Sequence, residues 1–67
     1  MPSTAIKAIG YDEATAELWV TFVSGKTYRY YRVPRGIYLR FRRAASKGTF
    51  FNDHIRDRYD FALARAA

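Results

Sequence analysis

The sequence predicts an α+β domain: a three-stranded antiparallel β-meander packed on one face by a central helix and a short C-terminal helix. Two patterns carry this prediction. Apolar and polar residues alternate across Glu17–Val23, as in a half-buried strand, and apolar residues recur at helical spacing across Arg35–Ala45. With 67 residues, we expect a single domain, 1–67, near the lower size limit for a self-sufficient core.

The first strand is predicted at Ala5–Tyr11. Ile6 and Ile9 break strict alternation there, so we expect a bulge or an uneven edge. Asp12 opens the turn that follows, where its carboxylate is positioned to accept hydrogen bonds from backbone amides.

The turn after the second strand sets the register of the hairpin. If Gly25 takes the left-handed bulge position, Val20 lies opposite Tyr28 and Leu18 opposite Tyr30, so the large apolar groups share one face. A plain two-residue turn would instead bury an arginine, and the bulged register is therefore expected.

The bulged register leaves Trp19, Arg29 and Tyr31 on the opposite face of the sheet. Trp19 and Arg29 become direct cross-strand neighbours, a geometry suited to a cation–π contact. An open aromatic–arginine cluster on a sheet is one way in which small domains stack unpaired bases. A helix or a second subunit would equally explain this face, and both interpretations stay open.

Two helices are expected after the sheet. Pro34 suits the first position of the central helix, which should bury Ile37, Tyr38 and Phe41 and end before a left-handed Gly48.

After an extended link at residues 49–51, Asn52 can cap a second helix from Asp53 to about Tyr59. Phe51, Ile55 and Tyr59 should close the core. The alanine-rich tail, residues 61–67, is expected to extend this helix or to fray.

The charge distribution is one-sided. No Asp or Glu lies between Leu18 and Asn52, although eight of the twelve Lys and Arg residues do. Such a field favours a polyanionic partner, of which nucleic acid is the commonest, although a basic face that only aids solubility predicts the same pattern. The candidate nucleic-acid-binding residues are Trp19, Lys26, Arg29, Tyr31, Arg32, Arg35, Arg40, Arg42, Arg43 and Lys47.

Other classes of function find little support. The chain has no cysteine for a disulfide or a thiolate metal site, and His54 is its only histidine. No signal peptide or membrane-length apolar stretch is present, so we expect a cytoplasmic protein without a membrane partner. No nucleophile–base pair is evident, and Ser46–Thr49 matches a phosphate loop only in part. We therefore expect no enzyme activity, no cofactor and no small-molecule substrate.

Four fragments carry a family resemblance: Ile9-Gly10-Tyr11-Asp12, Leu18-x-Val20-x-Phe22-x-Ser24-Gly25, Tyr28-x-Tyr30-x-x-Val33-Pro34 and Ser46-Lys47-Gly48-x-x-Phe51-Asn52-x-x-Ile55-Arg56-x-x-Tyr59. In this order, from about Ile6 to Tyr59, the chain resembles the KTSC domain. That family occurs at the C-terminus of some lysyl-tRNA synthetases and as a free-standing small bacterial protein. Its activity is not established, and its attachment to a tRNA-charging enzyme is what suggests RNA binding.

Two hypotheses follow from the charge and the resemblance together. The first is a small non-catalytic accessory domain that binds nucleic acid, with RNA favoured over DNA, through a basic surface containing aromatic residues. The second is a protein-interaction or self-associating module, such as a homodimer, without a nucleic-acid ligand.

Overall fold

The computed structural model describes residues 5–65. Its elements are β1 (Ile6–Asp12), β2 (Glu17–Phe22), β3 (Thr27–Tyr30), α1 (Arg35–Arg43), α2 (Lys47–His54) and β4 (Phe61–Arg65). The strands form one antiparallel sheet in the order β1-β2-β3-β4. The α+β architecture is confirmed, but the sheet has four strands rather than the predicted three.

The β2–β3 hairpin adopts the bulged register. Gly25 has a φ of 97°, its N–H donates to the Phe22 carbonyl at 2.8 Å, and the Phe22 N–H donates to the Lys26 carbonyl at 2.9 Å. Val20 lies opposite Tyr28, and the other predicted cross-strand pairs are also present. The physical reason is the one expected: this register keeps charge out of the core.

Strand β1 has the predicted irregularity. Its register with β2 shifts between Ile6 and Ala8, which marks a bulge. In the turn that follows, the Ala14 N–H donates to Asp12 Oδ1 at 2.9 Å, as expected.

Both helices pack on the face of the sheet that carries Leu18 and Val20. The residues buried there are Leu18, Val20, Tyr30, Val33, Phe41, Phe51 and Ile55. Ile37, Tyr38 and Tyr59 pack against this cluster, as predicted. No helix within residues 5–65 is long and apolar enough to cross a membrane.

Helix α1 is shorter than predicted. Pro34 is its N-cap rather than its first residue, and Arg43 is its last residue rather than Ala45. The helix stops because Ala44 is extended, with φ −63° and ψ 136°.

The prediction for the second helix was wrong in its position. It begins at Lys47, so Gly48 lies inside the helix instead of ending α1, and Asn52 is a helical residue instead of a cap. Ser46 is the N-cap: its Oγ accepts a hydrogen bond from the Thr49 N–H at 3.2 Å. This side-chain bond satisfies one of the free amides of the first turn, which places the helix start here.

The prediction for the tail was also wrong. Phe61–Arg65 neither extends a helix nor frays but forms β4, with Tyr30 opposite Phe61 and Tyr28 opposite Leu63. Hydrogen bonding to the edge of β3 outweighs the helix propensity of the alanines, because such propensity is a weak preference. Residues 66 and 67 of the predicted tail lie outside the described residues.

Candidate nucleic-acid interface

Trp19 and Arg29 lie together on the sheet face that the helices leave uncovered, hereafter the outer face. The Arg29 guanidinium carbon is 5.6 Å from the centroid of the Trp19 ring, in the predicted cation–π arrangement. Trp19 also lies opposite Gly10 of β1, where a Cβ would approach the indole at 3.4 Å. The indole is therefore half-buried along the sheet.

Arg29 is paired with a carboxylate. Its Nε lies 3.3 Å from Glu17 Oε1, although the N–H is not aligned for a hydrogen bond, so the contact is ionic. The register places Asp12 beside Glu17 on the same face. A phosphate approaching the outer face would therefore meet negative charge as well as the arginine.

Tyr31 lies past the end of β3. Its N–H donates to the Asp60 carbonyl at 2.9 Å. Its side chain lines a depression with Arg32 and Arg58, whereas Trp19 and Arg29 line a different one. Tyr31 therefore does not share a depression with Trp19 and Arg29, unlike the predicted cluster of the three residues.

Three other candidate cations are spread along the loops and the start of α1. Lys26 is exposed in the hairpin turn, and Arg32 is exposed with a φ of 56°. Arg35 Nε lies 3.3 Å from Glu13 Oε2, in an exposed pair of the kind that contributes little stability. Acidic residues outside the segment from Leu18 to Asn52, which contains no Asp or Glu, therefore form ion pairs with arginines inside that segment.

The last turn of α1 carries arginines placed over aromatic rings. The guanidinium carbon of Arg40 is 5.5 Å from the centroid of the Phe50 ring, and that of Arg42 is 5.7 Å from the Tyr38 ring. Tyr38 in turn stacks on Tyr11 of β1, with ring centroids 4.9 Å apart and an interplanar angle of 11°. The core thus fixes the rings on which these guanidinium groups lie.

Arg40, Arg42 and Arg43 define the α1 basic face. All three are exposed, and none forms an ion pair with a carboxylate within residues 5–65. Their positive charge is therefore less compensated than that of Arg29 or Arg35.

Lys47 and the start of α2 are largely occupied by internal contacts. Lys47 Nζ donates to the Ala44 carbonyl at 3.4 Å, and the Ser46 hydroxyl is bonded to Thr49. The partial phosphate-loop pattern is thus a capped helix start.

His54 lies against an aromatic ring. Its ring centroid is 4.4 Å from that of Phe50. In the part of the chain that the structure describes, no three His, Asp or Glu residues are grouped to hold a metal ion.

Sequence reasoning missed an aromatic groove of about 500 Å³ between the sheet and the turn after α2. It is lined by Phe22, Tyr28, Tyr30, Phe51, Arg56, Asp57 and Phe61. Burial, with a smaller effect of Tyr28, raises the pKa of Tyr30 to about 12. The alternation of Phe61 and Leu63 with small residues is the local signal for a strand at this edge of the groove, although the alanines of the same segment favour a helix.

We expect Trp19→Ala to reveal whether the outer face binds bases. Because the indole is only half-buried, the change should lower the free energy of unfolding by about 1–2 kcal/mol, less than for a fully buried aromatic. Affinity for single-stranded RNA, measured by fluorescence anisotropy, should fall less than about twofold, since the paired Arg29 makes this face a poor phosphate contact. A loss of about 1–3 kcal/mol in binding would instead assign base stacking to Trp19.

Comparison with known proteins agrees with the sequence resemblance. The family model of the KTSC domain matches residues 2–59. A protein of Tsukamurella paurometabola is 40% identical over 57 residues, covering 85% of each chain. A lysine–tRNA ligase of Nostoc punctiforme is 34% identical over 58 residues, which cover 87% of this chain but only 10% of the ligase.

The fold matches as well. The crystal structure of a KTSC domain protein from Yersinia pestis superposes with a TM-score of 0.86 at 33% identity, covering 97% of this chain and 92% of that one. The predicted resemblance is confirmed, and the chain belongs to the KTSC domain family.

Proposed function

We propose that this KTSC domain is an accessory domain that binds nucleic acid through the α1 basic face, with RNA as the favoured ligand over DNA. One observation carries the proposal: Arg40 and Arg42 are held over aromatic rings, with no carboxylate partner in residues 5–65. A guanidinium positioned in this way loses less conformational entropy on binding and can offer two N–H groups to one phosphate.

The distribution of charge supports the same surface. The chain has a formal net charge of +6, while Glu13 and Glu17 are close to Arg35 and Arg29 rather than to the α1 basic face. A phosphate backbone therefore gains more from the end of α1 than from the outer face of the sheet.

The preference for RNA rests on a relative. The matched lysine–tRNA ligase carries a similar segment in a protein whose name states that it acts on tRNA. A domain attached to such an enzyme is close to tRNA whenever the enzyme binds it. A basic surface on that domain would increase the affinity of the enzyme for tRNA without new catalytic groups.

The proposed mode of binding is tolerant of sequence. The rings of Tyr38 and Phe50 are covered by arginines, and phosphate contacts carry no direct sequence information. We therefore expect the domain to bind tRNA and single-stranded RNA of different sequences with similar affinities.

Salt dependence tests the proposal. If about four to six phosphates are neutralised, the log–log slope of the association constant against salt should be roughly −3 to −5. Raising the salt from about 50 to 200 mM should then weaken binding by about 60- to 1,000-fold. The measurement is a fluorescence titration with tRNA, single-stranded RNA and duplex DNA of matched length.

Two outcomes would contradict the proposal. Binding that ignores salt would mean that the arginines do not contact phosphates. No binding of any of the three nucleic acids at low salt would remove the nucleic-acid function altogether.

A further inference from the structure

Within the described residues, 5–65, no strand pairs with the outer edge of β4. The sheet order puts β4 beside β3 only. The Tyr31 N–H donates to the Asp60 carbonyl at the end of β3. Along an antiparallel strand, the N–H and C=O groups of every second residue point to the same neighbouring strand, so those of Asp60 and Ala62 both point toward β3. The N–H and C=O groups of Phe61 and Leu63 therefore face the free edge.

The same two residues expose apolar side chains. Phe61 is 55% exposed and Leu63 is 51% exposed. They lie on the helix side of the sheet, opposite Tyr30 and Tyr28, where the aromatic groove is open. Apart from Arg65 at its end, β4 contains no charged residue and no proline, and such an apolar edge is a surface on which another strand readily pairs.

We propose that β4 pairs antiparallel with β4 of a second copy of this chain, about a two-fold axis at Ala62. Phe61 of each copy then lies opposite Leu63 of the other, and the outward N–H and C=O groups of these residues form the hydrogen-bonded pairs. The side chains of Phe61 and Leu63 from both copies meet on the helix side and cover the open ends of the two aromatic grooves.

A second copy fits this edge because the edge is complementary to itself. Residues 61–64 contain no charged side chain, so pairing brings no like charges opposite each other. Ala62, at the axis, is small enough for close approach.

The strand pairing is short. The register between β3 and β4 shifts between Thr27 and Tyr28, so β4 is regular only around Ala62. Four half-exposed side chains and a few backbone bonds bury less than the roughly 1,200–2,000 Å² of a stable interface. The dimer is therefore reversible and depends on protein concentration.

The dimer leaves the α1 basic face uncovered. Tyr38 of α1 stacks on Tyr11 of β1, at the opposite edge of the sheet from β4. The arginines of the two copies thus stay far apart, which limits their repulsion. Self-association is independent of the proposed nucleic-acid function, and each can fail without the other.

Cysteine cross-linking tests the axis, because the chain has no cysteine of its own. At a non-hydrogen-bonded antiparallel pair the two Cα atoms are about 4.5 Å apart, within the range for a disulfide. Ala62→Cys should form a disulfide-linked dimer under mild oxidation at least about tenfold faster than Ala8→Cys. Ala8 is the matched control, since it is an exposed alanine of the other edge strand, β1.

Sedimentation of the unmodified chain tests the dimer itself. The dimer fraction should rise between about 10 and 500 μM. Leu63→Lys should abolish this rise, whereas Val23→Lys, at a site 65% exposed in the hairpin turn, should preserve it. The proposal is overturned by a chain that stays monomeric, by a dimer that survives Leu63→Lys, or by equal cross-linking at Ala62 and Ala8.

Discussion

Replacing Tyr30 by alanine is expected to lower the free energy of unfolding by about 3–5 kcal/mol. Tyr30 is only 4% exposed, and its ring contacts those of Phe51 and Phe61 at centroid distances of 5.5 and 5.4 Å. Truncation leaves a cavity beneath α2 in a domain too small to have much stability to lose. Urea unfolding followed by far-ultraviolet circular dichroism measures the change.

Tyr28→Ala is the matched control. Tyr28 is on the same strand and the same face, but it is half-buried beside the open groove. We expect its truncation to cost about half as much, roughly 1.5–2.5 kcal/mol, when the protein is dilute enough to be monomeric. Equal losses at the two positions would mean that the β4 side of the core is as well covered as the α2 side.

The register of the β2–β3 hairpin could be predicted because, of the two registers considered, only the bulged one kept charge out of the core. A plain two-residue turn would have placed Arg29 and Tyr31 beneath Leu18 and Val20 and so buried a charge, at a cost that no local preference offsets. The confirmed position of Gly25, with its φ of 97°, follows from that choice. Patterns with one strongly penalised alternative are the ones that a single sequence determines.

The second helix and β4 were harder because local signals competed. Ser46 and Asn52 are both good N-caps, and the structure uses Ser46. The alanines near Phe61 favour a helix and the alternation of Phe61 with Leu63 favours a strand, and the free edge of β3 decides between them by offering hydrogen bonds to a strand. Such an edge is a property of the assembled sheet.

The charge pattern predicts a polyanionic partner but does not locate the surface that would bind it. Glu13 and Glu17 lie outside the segment from Leu18 to Asn52, yet the fold brings Glu13, in the β1–β2 turn, to Arg35 and Glu17, in β2, to Arg29 on the paired strand β3. The linear sequence therefore overstates the free positive charge of the sheet. It could not indicate that the α1 basic face would be left without acidic partners within residues 5–65.

Replacing Arg40, Arg42 and Arg43 together by alanine should reduce affinity for every nucleic acid tested by about 100-fold or more at 0.1 M salt. The salt slope should flatten by about two to three units, because three phosphate contacts are lost. Stability should change by less than about 1 kcal/mol: the lost cation–π contacts cost little at exposed sites, while alanine favours helix and like-charge repulsion falls. Anisotropy titrations and thermal unfolding measure both effects.

The control triple variant replaces Lys26, Arg32 and Arg35, which are exposed cations outside the α1 basic face. It removes the same charge, so any difference between the two variants reports position rather than net charge. The control should flatten the salt slope by less than about one unit. Equal losses of affinity in the two variants would mean that nucleic acid is attracted by the net positive charge of the protein and not by one surface. Unfolding of the α1 variant would mean that its arginines are needed for the stability of the fold. A loss confined to the α1 variant would assign the phosphate contacts to the end of α1, because the two proteins would differ only in where the charge was removed.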